Sequence, residues 1–208
     1  MKKLLSLVLV ISMVFSFAAC SSGNTEATNS TEPSSSAPAE KAGVPKEELK
    51  IGFIHISDPS DMGYTYNHDL GTWAMVEALG LREDQIINKY NIGEDEGCAA
   101  AIDELIEAGC QIIFATSFGH GDYMKEAAMA HPEIEFCHAT GDLASKAGLS
   151  NFHNYFTSIY EARYLAGIAA GMKLKELGET KLGYVAAFEC AEVVSGFTAF
   201  YLGAKSVL

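Results

Sequence analysis

Basic residues are scarce in this sequence: 14 Lys and Arg stand against 27 Asp and Glu, a formal net charge of −13. So acidic a surface disfavours nucleic acid and anionic lipid headgroups as direct partners. The five cysteines show no CxxC or other metal-ligand spacing. There is no GxSxG, no phosphate-binding GxxxxGK[ST] and no HExxH. A glycine-rich dinucleotide fingerprint is also missing, because Gly63 stands alone in the first loop. An enzymatic reading would have to use His120 and His138, near expected strand ends, together with Asp142. Isolated histidines near loops are more commonly solvated or structural, so no catalytic residue, metal or cofactor is expected. Nor does the amino end supply the roughly 20 apolar residues that a membrane span needs. The apolar stretch over residues 4–19 is shorter and follows Lys2 and Lys3, the pattern of a secretory signal.

That stretch ends Ser16-Phe17-Ala18-Ala19-Cys20. Small residues before a cysteine suit a signal peptidase, and the site resembles the lipobox of bacterial lipoproteins. The resemblance implies cleavage before Cys20, lipid on its thiol, and a protein held on the outer face of the cytoplasmic membrane. An ordinary signal peptide cut near Ala19 is the other reading. The following SSGNTEATNSTEPSSSAPAE is almost free of large apolar residues. It cannot bury enough surface to offset its ordering entropy, so residues 20–47 are expected to be a disordered linker.

The remainder is long enough for one good core. Cys98, Cys110, Cys137 and Cys190 are expected to be buried or unpaired, Cys110 and Cys137 because a thiol in an apolar strand behaves as a small hydrophobe, while a disulfide outside the cell stays open. Apolar runs at 49–56, 86–92, 111–116 and 134–138 read as buried strands. Between them lie helical patterns over 66–80, with Trp73, Met75, Val76 and Leu79 at helical spacing, over 95–108, and over 122–131. Gly80, Gly109 and Pro132 stop them. Strand and helix in alternation imply a doubly wound parallel sheet, with ligands beyond the carboxyl ends of its strands. A short extended piece at 151–156 breaks the rhythm. A long helix over 159–177 follows, expected to turn Tyr164, Leu165, Ile168, Ala169 and Met172 inward. A strand at 181–187 and a helix over 193–207 come last. The expected organisation is a first α/β lobe over 48–155 and the opening of a second over 156–208. One strand and two helices cannot close a second core, so the second lobe is expected to be incomplete.

The segment IGFIHISDPSDMGYTYNHDLGTWAMVEALG resembles the opening of the basic membrane protein family, substrate-binding lipoproteins of ABC importers that include purine nucleoside receptors. The family pattern is an Asp, two spacers, an aromatic, and a Gly seven positions on, here Asp61, Tyr64 and Gly71. Likeness continues through ATSFGHGDYMKEAA, YEARYLAGIAAGMK and KLGYVAAFECAEVVSGFTAFYLGAK, so it runs over nearly all of 49–208. The resemblance implies a type I periplasmic-binding-protein-like fold, in which two α/β lobes trap a small molecule, and ABC permease subunits as partners. The implied ligand is a purine nucleoside or nucleobase.

On that reading Tyr64 stacks on a base, and the other reading makes it a core or rim tyrosine. Asp61 either accepts hydrogen bonds from the base or shapes a turn with Gly63. Ser117, Phe118 and Gly119 either address the ligand or form a plain strand-to-helix turn. Asp142 binds ligand or anchors a hinge. Phe197 is either an opposing aromatic face or, paired with Phe200 at i, i+3, part of a core. A lipoprotein sensor, or less readily a nucleoside-processing enzyme, stays open at this level.

Overall fold

The computed structural model describes residues 43–208; the expected signal sequence, Cys20 and the linker as far as residue 42 lie outside the described residues. Five strands form one sheet: β1 (Ile51–Ile54), β2 (Ile86–Lys89), β3 (Ile112–Ala115), β4 (Glu135–Ala139) and β5 (Phe152–Tyr155). Their order is β2-β1-β3-β4-β5 and every pair is parallel. The fifth strand is the piece expected only as extended. Between strands run α1 (Tyr64–Leu79), α2 (Glu96–Glu107), α3 (Gly121–Ala130) and the five-residue α4 (Leu143–Ala147), which the sequence pattern did not announce.

Side chains of a strand alternate between faces, so one sheet supports two cores. On one face Ile54, Ile113, Phe136 and Phe152 pack with Ile102 and Leu105 of α2, Met124 of α3 and Ala144 of α4. On the other, Ile51 and Phe53 pack with Val76 of α1 and Leu81. Helices on both faces explain why β1 is buried at all four positions. Within α1, Val76 is buried, whereas Trp73 and Leu79 are exposed. Gly80 and Gly178 end their helices in the left-handed region, at φ 61° and 69°, where a side chain is strained.

Side-chain amides tie both ends of β4 and β5, the buried Asn151 at the amino end and the half-buried Asn154 toward the carboxyl end. Asn151 Nδ2 donates to the carbonyls of Ala128, His131 and Ile134. Asn154 Nδ2 donates to Thr140 O at 2.7 Å, and its Oδ1 accepts from the Ala144 amide at 2.6 Å. Cys98 and Cys110 are buried free thiols, and Cys137 and Cys190 are free and half-buried. Burial pushes the Cys98 thiol up to about 12 and the Cys137 thiol to about 11.

After β5 come α5 (Ile159–Leu177) and α6 (Ala191–Lys205), packed against each other. The buried stripe of α5 is Gly167, Gly171 and Leu174. This corrects the expected inward face: Tyr164, Leu165 and Met172 are 37%, 66% and 60% exposed. Small residues let the two backbones approach, so the glycine face turns inward and the larger apolar groups face away. The strand expected at 181–187 does not form, and Val185 is 99% exposed. A lone extended segment has no neighbour to satisfy its backbone, and no described strand pairs with this one. Among the described residues no helix is long and apolar enough to cross a membrane.

Candidate ligand-binding site

In the order β2-β1-β3-β4-β5 the chain turns outward in opposite directions after β1 and β3, leaving a crevice at their carboxyl ends. The loop after β1 is built tightly there. Asp58 caps a short 3-10 turn, Pro59–Asp61, by accepting from the Ser60 amide. The Asp61 carboxylate then accepts from the amides of Gly63, Thr65 and Tyr66 at 2.9, 2.8 and 3.0 Å. Those bonds, led by Gly63, hold its pKa down at about 2. Three of its roughly four acceptor positions thus serve the start of α1.

Asp61 thereby aims Tyr64, the first residue of α1. The Tyr64 hydroxyl donates to the Thr116 carbonyl just past β3, bridging the two loops that flank the crevice. Burial pushes its phenol up to about 12. From Tyr64 one face of the helix runs through His68, Gly71, Thr72 and Met75, the spacing of neighbours on a helix. This face forms one wall of a cavity of about 770 Å³, within the size range of small-molecule sites.

Aromatic rings line much of that cavity. Phe53 and Phe114 stack at 5.0 Å, Phe114 meets Tyr155 edge-on at 5.6 Å, and His68 meets Tyr64 edge-on at 4.6 Å. Arg163 of α5 and Glu192 of α6 put charge on the remaining side. Burial raises the Glu192 carboxyl, with Arg163 acting the other way. A second cavity, about 540 Å³, adjoins the first through Phe156, Thr157, Ile159 and Glu192.

The residues singled out from sequence therefore separate. Tyr64 lines the first cavity, and Phe118 and Asp142 the second. Asp142 pairs with Lys146 at 2.9 Å. Phe118 stacks on Phe188 at 5.0 Å. The Ser117 hydroxyl and the Gly119 amide both donate to Glu94 Oε1, at 2.6 and 2.7 Å, so that carboxylate holds the β3 loop from beneath. Phe197 faces Tyr184 edge-on at 6.2 Å, in a hollow with Leu182 and Phe200. It is 37% exposed, which places it neither in a core nor among the rings around Tyr64.

Among the residues not singled out in the sequence are His68 and Tyr155, which line the first cavity, and Glu94, which braces the β3 loop. His68 carried a usable signal, since it lies one helical turn beyond Tyr64. Tyr155 ends a strand that was only half recognised. Glu94 lies 25 residues from Gly119, and nothing local announces the contact.

His120 and His138 are buried and structural. His138 Nε2 donates to Ser117 O at 2.8 Å, and His120 Nε2 to Ile92 O at 3.1 Å. Among the described residues no group of three or more His, Cys, Asp or Glu is placed to hold a metal ion.

Residues 48–207 match the family described as ABC transporter substrate-binding protein PnrA-like. A purine-binding protein of Brucella abortus (strain 2308) is 38% identical over 163 residues, 78% of this chain and 44% of the relative. A Haloferax volcanii protein, provisionally described as an ABC transporter glucose-binding protein, is 33% identical over 161 residues, 77% of this chain and 39% of the relative. The chain thus spans less than half the length of the curated relatives it matches. Among solved structures, an ABC transporter solute-binding protein of Aeropyrum pernix K1 superposes with a TM-score of 0.59 at 16% identity, over 76% of this chain and 43% of that one. A Bacillus halodurans transcriptional activator of the comK gene gives 0.50 at 20% identity, over 75% and 49%. At such identities the likeness concerns the fold alone.

Proposed function

The chain belongs to the PnrA-like family of ABC transporter substrate-binding proteins, and from that premise we propose that it captures purine nucleosides or nucleobases outside the cytoplasm for import. The observation that carries the ligand class is the run of rings, Tyr64, His68, Tyr155, Phe114 and Phe53, around one cavity at the β1/β3 crevice. A planar heterocycle gains dispersion against such walls. A hexose calls for a dense set of free hydrogen-bonding groups, and on the α1 wall the Tyr64, Asn67 and Thr72 side chains already donate within the protein. The purine-binding relative supports the same choice.

In this reading residues 48–155 form the first lobe and 156–208 open the second. Ligand touches both and stabilises the closed form by its differential affinity. ABC permease subunits receive that closed form. The protein acts as a binder rather than a catalyst.

Tyr64→Ala is expected to raise the Kd for adenine or adenosine roughly 5- to 150-fold, the loss of one base-stacking ring. Gly71 supplies an independent test, because it lines the cavity and a β-carbon added there meets nothing within 4 Å. Gly71→Phe should therefore abolish purine binding in calorimetry while leaving the thermal midpoint in place. Unchanged affinity in both variants, or tight glucose binding with no purine binding, would remove the purine site from this cavity.

We place the protein on the outer face of the cytoplasmic membrane by lipid on Cys20. Cys20→Ser should shift it from the membrane fraction to the soluble fraction. Persistent membrane association would defeat the anchor.

A further inference from the structure

His68 is the one imidazole in the first cavity. Its ring meets Tyr64 edge-on at 4.6 Å and Tyr155 edge-on at 6.5 Å. Among the described residues neither ring nitrogen has a hydrogen-bond partner, in contrast to His55, His120 and His138. Burial, with His55 nearby, pushes its pKa down to about 4. The ring is therefore neutral at physiological pH and carries one N–H and one lone pair. Other polar groups on this wall are already engaged. The Tyr64 hydroxyl is tied to Thr116 O, the Asn67 amide donates to Gly63 O, and the Thr72 hydroxyl donates to His68 O. The His68 nitrogens are not among the fully buried unpartnered atoms, so an occupant that displaces solvent from this ring has to supply its hydrogen bond.

We propose that His68 is the specificity-determining residue of this cavity, reading the polar edge of a purine that lies against Tyr64. The inference rests on the purine reading given above and adds the residue that tells one heterocycle from another. Stacking is tolerant, since every base has a face to offer. A hydrogen bond discriminates, because a ligand lacking the matching atom leaves the imidazole unpaired.

The test compares adenine, unsubstituted purine, and 1-, 3- and 7-deazaadenine on the purified protein by calorimetry. Removing one of these ligand atoms should weaken binding about tenfold or more in the unsubstituted protein. His68→Phe keeps an aromatic ring and should erase that one difference while retaining binding. His68→Asn, which keeps a donor and an acceptor, should restore part of it. A purely structural role for His68 would weaken all five ligands alike and leave their ranking intact, and that result overturns the proposal. So does unchanged discrimination in folded His68→Phe, although purine capture itself would then stand. Failure of the unsubstituted protein to bind any of the five would remove the purine reading and this inference together.

Discussion

Acidification from pH 7 to 5 is expected to destabilise the folded protein, by up to about 2 kcal/mol for a buried histidine that stays neutral, read as a falling urea midpoint. The cause is a set of three histidines, His55, His120 and His138, which are 0%, 0% and 1% exposed. Burial is the first cause lowering the pKa of each. In the unfolded chain each titrates near the ordinary value of about 6.5. A histidine whose folded pKa is depressed binds fewer protons folded than unfolded as the pH drops. Its contribution to stability is therefore intact above about pH 6.5 and declines below it, until the folded group also protonates. The figure of about 2 kcal/mol applies to a ring still neutral at pH 5, and His68, held down at about 4 chiefly by burial, acts in the same direction.

The hydrogen bonds give the same direction. His138 presents Nδ1 to the Asn154 amide at 3.2 Å and Nε2 to Ser117 O at 2.8 Å, and a second proton would turn its acceptor nitrogen against that amide. Asp58, Asp61 and Glu94, whose pKa values are lowered, lose their contributions only in more acidic solution. A total stability of 5–15 kcal/mol makes such a loss conspicuous. Denaturation curves that superimpose at pH 7 and pH 5 would show that these rings do not stay neutral in the fold.

Gly203→Val is expected to separate α5 from α6. A β-carbon at Gly203 would lie 2.1 Å from Tyr164 O, and one at Gly167 would lie 2.0 Å from Phe200 O. These are backbone atoms, so no side chain can swing aside, and the helices must move apart. The expected cost is about 3 kcal/mol, at the top of the range for overpacking. Helices of 19 and 15 residues are marginal alone in water. Amide exchange should therefore accelerate throughout α5 and α6 and stay slow in the sheet. Gly196, on the same helix α6, is the internal control. The nearest atom to an added β-carbon there is the Tyr184 hydroxyl oxygen at 3.7 Å, an ordinary contact. Gly196→Ala should be neutral or stabilising by up to about 1 kcal/mol. Equal stability of Gly203→Val and the unsubstituted protein would mean that the helices do not cross this closely.

What the sequence disclosed follows from how each element is held. The strands β1 and β3 were readable because helices cover both faces, which demands a continuous apolar run such as Ile51 to Ile54. β5 was obscured by His153 and Asn154, polar residues at the sheet's edge whose side chains reach Glu135 and the β4–α4 turn. Residues 181–187 have the composition of a strand, yet strand structure needs a neighbour, and composition does not say whether one is present. The aim of α5 was misjudged for a related reason. Apolar size pointed to Leu165 and Met172, whereas close approach selected Gly167 and Gly171.

In the site, Tyr64 was visible because the loop after the first strand and the start of the next helix adjoin in sequence. The turn-shaping reading of Asp61 rests on three amide partners, two of them in the following helix, which sequence alone does not assign. Phe118 and Asp142 lie in the neighbouring compartment. The pairing of His68 with Tyr155 joins residues 87 positions apart and exists only once the sheet has assembled.

The bond from Tyr64 to Thr116 clamps the front of the crevice to the third strand, and Asp61 fixes the turn that delivers it. That wall is set during folding, so an arriving molecule meets a finished surface and need not organise a slack loop. Recognition on this side is then a matter of shape already cast. Kinetic differences among rival guests should reside in how long each one lingers rather than how quickly it docks.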